Sequence, residues 1–303
     1  MALIFVFILG TTSLGVFKFM IVDFHVHAFP DKVADKAIET LESFYDAKCF
    51  SDGKIASLLD NMQNIGIDLS VVQPVSTDPR QVVSINTWSS GLNQKNGFPL
   101  IGFGTIHPKF EGYYDEIQRM KELGIKGVKF QPSFQEFFPD DEKMFPIYEE
   151  LIKAGMVIVF HAGDEIRPAS IVYSTPPRLA RVLDVMHNLI NDCNYYVVND
   201  SQKTAKIVAA HLGGYQLWDQ VEEYLLGREI YFDISYLFGH LDIQRIMRII
   251  RSHGIKKILF GSDFPFAQPK EEIKTTKQLE LTDEEREGIF SKNALKLLPN
   301  QKI

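Results

Sequence analysis

Eight short apolar runs of strand length recur along the chain, each followed by a polar turn and a stretch of helical length. This order of strand then helix narrows the choice of fold more than any other feature. The predicted strands are Met20 to His25, Leu69 to Pro74, Leu100 to Thr105, Gly127 to Gln131, Met156 to His161, Ile207 to His211, Ile230 to Ser235 and Lys257 to Gly261. Amphipathic helices are predicted between them, for example over Tyr113 to Leu123 and Phe145 to Lys153, each followed by a glycine (Gly124, Gly155) that suits a helix C-terminus. Eight such units in a 303-residue chain match an α/β fold of the TIM type, a single (β/α)8 barrel with parallel strands, typically about 250 residues long. A doubly wound open sheet is the alternative. No internal repeat, low-complexity tract or linker divides the chain. The long connections Ala28 to Asp68 and Ala162 to Lys206 therefore read as helical insertions over the C-terminal face of the barrel.

Residues 1–19 are read as an N-terminal extension outside the fold, with the barrel domain over 20–303. The apolar run Ala2 to Leu9 falls short of the roughly 20 residues that cross a bilayer, so no membrane anchor is expected. A secretory leader would carry a basic residue before that run, whereas Lys18 comes after it. Lysine and arginine total 32 against 39 acidic residues, a net charge of −7, which offers no basic track for a nucleic acid. Cys49 and Cys193 stand far apart with no metal-thiolate spacing, which points to a reducing, cytoplasmic setting.

Polar residues of metal-binding type gather where the strands end. His25 and His27 are two apart on a strand and so share one face. The fifth predicted strand ends in Phe160-His161-Ala162-Gly163, the sixth in Ala210-His211-Leu212-Gly213-Gly214, and the eighth in Gly261-Ser262-Asp263-Phe264-Pro265. Each of these could be a turn or a buried, hydrogen-bonded side chain. Together they place four imidazoles and a carboxylate on the rim that barrel enzymes use for catalysis. Neutral imidazoles with a carboxylate make a mixed nitrogen and oxygen site suited to Zn²⁺ or another first-row divalent ion such as Mn²⁺.

The combination of D-x-H-x-H, F-H-A-G, A-H-L-G-G and G-S-D-F-P resembles the amidohydrolase superfamily, specifically its amidohydrolase-2 branch. That branch includes aminocarboxymuconate-semialdehyde decarboxylase, other nonoxidative decarboxylases, a hydratase and lactone hydrolases. The resemblance extends from Met20 to Leu298. It implies His25, His27, His161 and Asp263 as ligands of a single divalent metal ion, His211 as a catalytic residue beside it, and a homodimer as the usual assembly. In other amidohydrolases a lysine on the fourth strand is carbamylated and bridges two metals. In the branch resembled here the site is mononuclear, and Lys129 is expected to be structural or to face substrate. Gln131 stands where relatives often carry histidine.

Asp263 is thus expected both to bind the metal and to take a proton from the attacking water, with His211 polarising a carbonyl or moving a proton. Asp23 is expected to share the histidines' face and orient a ligand, or else to cap the strand. His107, Gln131, Arg167 and Arg178 are the candidate substrate contacts, the arginines through bidentate bonds to a carboxylate. His187, His240 and His253 lack a partner motif and are read as outside the site. The leading expectation is a metal-dependent hydrolase of a C–N or C–O bond in a small molecule. The alternative is a nonoxidative decarboxylase of a carboxylated substrate, which would use the same ligands.

Overall fold

Every apolar run becomes a parallel strand. The computed structural model describes residues 19–93, 99–192 and 205–298, so the extension read over 1–19 lies, apart from Phe19, outside the described residues, as does Cys193. The strands are β1 (Val22–Val26), β2 (Leu69–Val72), β3 (Leu100–Gly102), β4 (Gly104–Thr105), β5 (Gly127–Phe130), β6 (Val157–Phe160), β7 (Ile207–Ala209), β8 (Tyr231–Asp233) and β9 (Ile258–Leu259). The third expected run is thus two strands, interrupted at Phe103, whose amide donates to the Val72 carbonyl at 2.9 Å. Most runs end earlier than expected. His161, His211 and Asp263 lie beyond the last ladder residues, where the chain turns out over the mouth.

Neighbouring strands pair in chain order, β1-β2-β3 and then β4 through β9, all parallel. The ring closes between the last strand and the first: the Phe24 amide donates to the Phe260 carbonyl at 2.9 Å and the Asp263 amide to the His25 carbonyl at 2.8 Å. The architecture is the TIM-type barrel expected from the sequence.

Strands in such a barrel are buried on both faces, which is why they read as nearly continuous apolar runs. One face packs with the surrounding helices: Val72, Val128, Phe130, Ile158, Phe160 and Ile258 join a large cluster with Ile117, Leu151 and Ile250. The other face fills the barrel, where Phe24, Val71, Ile101, Phe103, Val159 and Leu259 pack together and Leu297 and Leu298 of the C-terminal segment join them. Phe24 and Phe103 meet edge to face with centroids 5.8 Å apart. The helices α1 (Asp31–Tyr45) and α2 (Ile55–Ile65) fill the first long connection, α3 (Val82–Asn93) follows β2, and α4 (Tyr113–Glu122) follows β4. The helix over Phe145–Lys153 is as expected. No helix among the described residues is long and apolar enough to cross a membrane.

Gly127 shows how tightly the interior is filled, since a Cβ there would lie 2.4 Å from the Phe103 ring. Gly127→Ala should therefore destabilise the fold by about 1–3 kcal/mol through overpacking. The urea midpoint measures this, and an unchanged midpoint would contradict the packing described.

Candidate metal centre

A divalent cation needs unprotonated ring nitrogens, so the hydrogen-bond partners of each histidine decide what the mouth can bind. His27 donates from Nδ1 to the Gln73 carbonyl at 3.0 Å, and His25 donates from Nδ1 to Asp233 Oδ2 at 3.0 Å. Both acceptors lack a proton to give, so in the neutral rings it is Nε2 that carries the lone pair. Those two nitrogens lie 3.1 Å apart, and Asp263 Oδ1 lies 3.2 Å from His27 Nε2 and 3.5 Å from His25 Nε2. The second pair follows the same logic. His161 donates from Nε2 to the Asp164 carbonyl at 3.1 Å, and His211 donates from Nδ1 to the Ser235 carbonyl at 3.1 Å. Their remaining nitrogens, His161 Nδ1 and His211 Nε2, face each other at 3.2 Å. Like-charged lone pairs repel at such distances, and a cation among them removes the repulsion. The residues present therefore fit a divalent metal.

Two groups bring ligand atoms close enough to share one ion among the described residues: His25, His27 and Asp263, and His25, His211 and Asp233. His161 stands beside them through His211, their ring centroids 4.9 Å apart.

Local backbone places these side chains. The register of β1 against β2 shifts between Asp23 and Val26, so strict alternation does not run through the motif. Phe24 fills the barrel, and Asp23 turns Oδ1 to the amides of Ser262 at 2.9 Å and His25 at 3.3 Å. Orientation of His25 falls to Asp233, not to Asp23. His211, Leu212 and Asp263 have φ of 56°, 55° and 65°, left-handed values that cost a non-glycine residue about 1 kcal/mol or more and gather at functional sites.

Electrostatics match this reading. Burial, with the Lys129 charge, pushes His25 down to about 3, and burial also holds His161 well below the usual imidazole value, so both are neutral at pH 7. Burial opposes ionisation of Asp263 and Asp233, yet the histidines around them keep both carboxyls well below the ordinary range. Lys129 is buried, its Nζ 3.2 Å from His25 Nε2, and burial brings its ammonium down to about 8.

The cluster opens into a cavity of about 820 Å³, bordered also by Gln73, Lys129, Gln131 and Glu165. Gln131, a candidate substrate contact, lies in that wall, its Nε2 donating to Glu165 Oε1 at 3.4 Å. The other three expected substrate contacts do not border the cavity. His107 uses Nδ1 to accept the Lys109 amide at 3.1 Å and so closes a turn. Arg178 pairs with Asp140 at 2.6 Å and lies over the Phe138 ring, while Arg167 is exposed on the loop. Of the histidines set aside, His253 stacks on Phe232 with centroids 3.8 Å apart, and His240 stacks on Tyr236.

Sequence reasoning missed Asp233, Ser235 and Glu165. Asp233 and Ser235 close a strand and carry no local signal; Ser235 Oγ donates to Asp233 Oδ1 at 2.5 Å. Glu165 is buried, and Tyr45 donates to its Oε2 at 2.8 Å across 120 residues. Burial raises its pKa.

With this geometry established, comparison with known proteins gives a family. The family model described as amidohydrolase matches residues 22–299. No curated protein matches. Solved structures of similar fold include 5-carboxyvanillate decarboxylase from Sphingomonas paucimobilis, with a TM-score of 0.66 and 13% identity over 92% of this chain and 99% of that one. A dihydroxybenzoic acid decarboxylase from Polaromonas sp. JS666, with bound manganese and 2-nitroresorcinol, has a TM-score of 0.66 and 14% identity over 92% and 97% of the two chains. A probable 2-pyrone-4,6-dicarboxylic acid hydrolase from Acinetobacter baumannii has a TM-score of 0.59 and 17% identity over 91% and 98%.

Two outcomes follow from the site. Asp233→Asn loses the anion that fixes the His25 tautomer and should weaken metal binding by about 10- to 100-fold, measured by competition with a chelator. Burial raises Glu272 from 4.5 to about 9, with Asp263 and Asp23 adding to the effect, and its Oε2 has no hydrogen-bond partner among the described residues. The folded protein then binds a proton that the unfolded chain releases, so stability falls as pH rises from 4.5 to about 9. Glu272→Gln should melt higher than the parent at about pH 8 and match it at about pH 4, followed by thermal melts across that window.

Proposed function

The chain belongs to the amidohydrolase family, and on that premise we propose that it is a metal-dependent hydrolase of a C–N or C–O bond in a small molecule. The observation that carries this reading is the convergence of His25 Nε2, His27 Nε2 and Asp263 Oδ1 within 3.5 Å of one another at the barrel mouth. These three would hold the ion, with His161 Nδ1 as the fourth ligand and Zn²⁺ as the first choice of metal. Mn²⁺, bound in the decarboxylase neighbour, is the alternative. A divalent ion there supplies Lewis acidity and lowers the pKa of a coordinated water to about 7.

The chain's own residues then handle protons and orientation. Asp263 is held ionised and takes the proton of the attacking water on Oδ2. Asp263 then gives that proton to the leaving atom, directly or through His211 Nε2, whose lone pair can receive it and hand it on. Lys129, beside His25, holds the substrate carbonyl oxygen in place. Asp233 and the Gln73 carbonyl keep His25 and His27 in the tautomers that face the cluster.

The second reading is a nonoxidative decarboxylase, favoured by the activities named for the Sphingomonas and Polaromonas structures. Hydrolysis is preferred because a carboxylate-clamping arginine is missing from the cavity wall among the described residues, Arg178 being committed to Asp140. Lactones, anilides and carboxylated phenols offered to the metal-loaded protein separate the two. Turnover of a lactone or anilide that drops about 10²- to 10⁴-fold in Asp263→Asn is the expected result. Release of CO₂ from the phenols, with no hydrolysis, would instead establish the decarboxylase.

A further inference from the structure

The mouth holds far more space than its chemistry requires. A single aromatic ring fits a cavity of about 150 Å³, whereas this one measures about 820 Å³. Much of the added space is bordered by two helices. Val33, Ala37, Leu41 and Tyr45 recur every fourth residue on α1, forming one stripe about 18 Å long, and all four border the cavity. Ile85 and Trp88 of α3 border it as well. The stripe runs from water into the protein: Val33 is 49% exposed and Tyr45 only 7%. Its deep end is the metal centre, since the Tyr45 hydroxyl donates to Glu165 Oε2 at 2.8 Å and Glu165 Oε1 lies 3.4 Å from His161 Nε2. At the shallow end Lys32 and Lys36 border the opening.

We infer that the substrate is amphipathic, with a polar head at the metal centre and an apolar arm of roughly ten or more carbons lying along α1 between Tyr45 and Val33. This rests on the metal-centre reading above and names the class of molecule that centre acts on. The occupant is a substrate arm, not a protein partner, because the apolar wall and the metal-ligand candidates border one continuous cavity. Filling it removes the apolar surfaces of Leu41, Ile85 and Trp88 from water at the moment the head is bound, which fixes the reacting bond at the cluster.

Alkyl hydroxamates test this, because the hydroxamate head chelates a divalent ion while the tail is varied at will. Calorimetric titration of the metal-loaded protein with acetohydroxamate, hexanohydroxamate and decanohydroxamate should show affinity rising about fourfold per methylene over the first carbons. Ala37→Trp and Ile85→Trp plug the slot from opposite walls. In whichever retains the parent's melting transition, the ratio of decano- to acetohydroxamate affinity should fall at least about tenfold. Affinity independent of tail length overturns the inference, as does a length dependence that neither plug reduces. Failure of acetohydroxamate to bind metal-loaded protein would count against the metal-centre reading alone. The slot is then judged by 1-octanol, whose binding should change the fluorescence of the parent and not of Trp88→Phe; no such change overturns it.

Discussion

Four imidazoles and a carboxylate turn toward one another at the mouth of this barrel. Each of the four histidines places one ring nitrogen against a backbone carbonyl or a carboxylate, which turns the opposite nitrogen toward the cluster. Asp263 adds an anion to the set. Buried charge and unpaired polar atoms are expensive in isolation, so the arrangement makes physical sense as the lining of a cation site. Lys129 gives the cluster one positive neighbour, at 3.2 Å from His25 Nε2, and its lowered pKa records how poorly solvated that ammonium is.

The rest of the barrel holds those donors in place. Asp233 and Ser235 at the end of β8 reach the first strand through His25, and the Asp23 carboxylate ties the turn before Asp263 through the Ser262 amide. Left-handed backbone at His211, Leu212 and Asp263 aims the side chains at a cost met by the packed scaffold beneath them. The interior layer around Phe24, Phe103 and Val159 is that scaffold, and it leaves the reactive groups little freedom to drift.

Much of this was legible in the sequence because strand ends are abrupt. The change from Ile158-Val159-Phe160 to His161, or from Val208-Ala209-Ala210 to His211, marks both the edge of the core and the first residue of the mouth. The fold was legible for the same reason, since a parallel strand buried on both faces announces itself by its composition. What escaped notice was long-range pairing. Asp233 meets His25 across 208 residues, and Glu165 meets Tyr45 across 120, and neither carboxylate has a neighbour in sequence that hints at its partner. The arginines misled for a related reason: a charged side chain after a long loop gives no sign of whether it faces substrate or, like Arg178, a buried acid elsewhere in the fold. The break at Phe103 and the register shift in β1 are equally invisible, because each is imposed by the partner strand.

The seam that closes the ring joins the first strand to the last, and the three convergent donors straddle it: His25 and His27 on one side, Asp263 on the other. A growing polypeptide leaving the ribosome therefore carries two of them from the start and waits for nearly the whole domain before the third emerges. Assembly of the candidate centre becomes a final act of biosynthesis, and a prematurely terminated product lacking the last strand is born with the cluster incomplete.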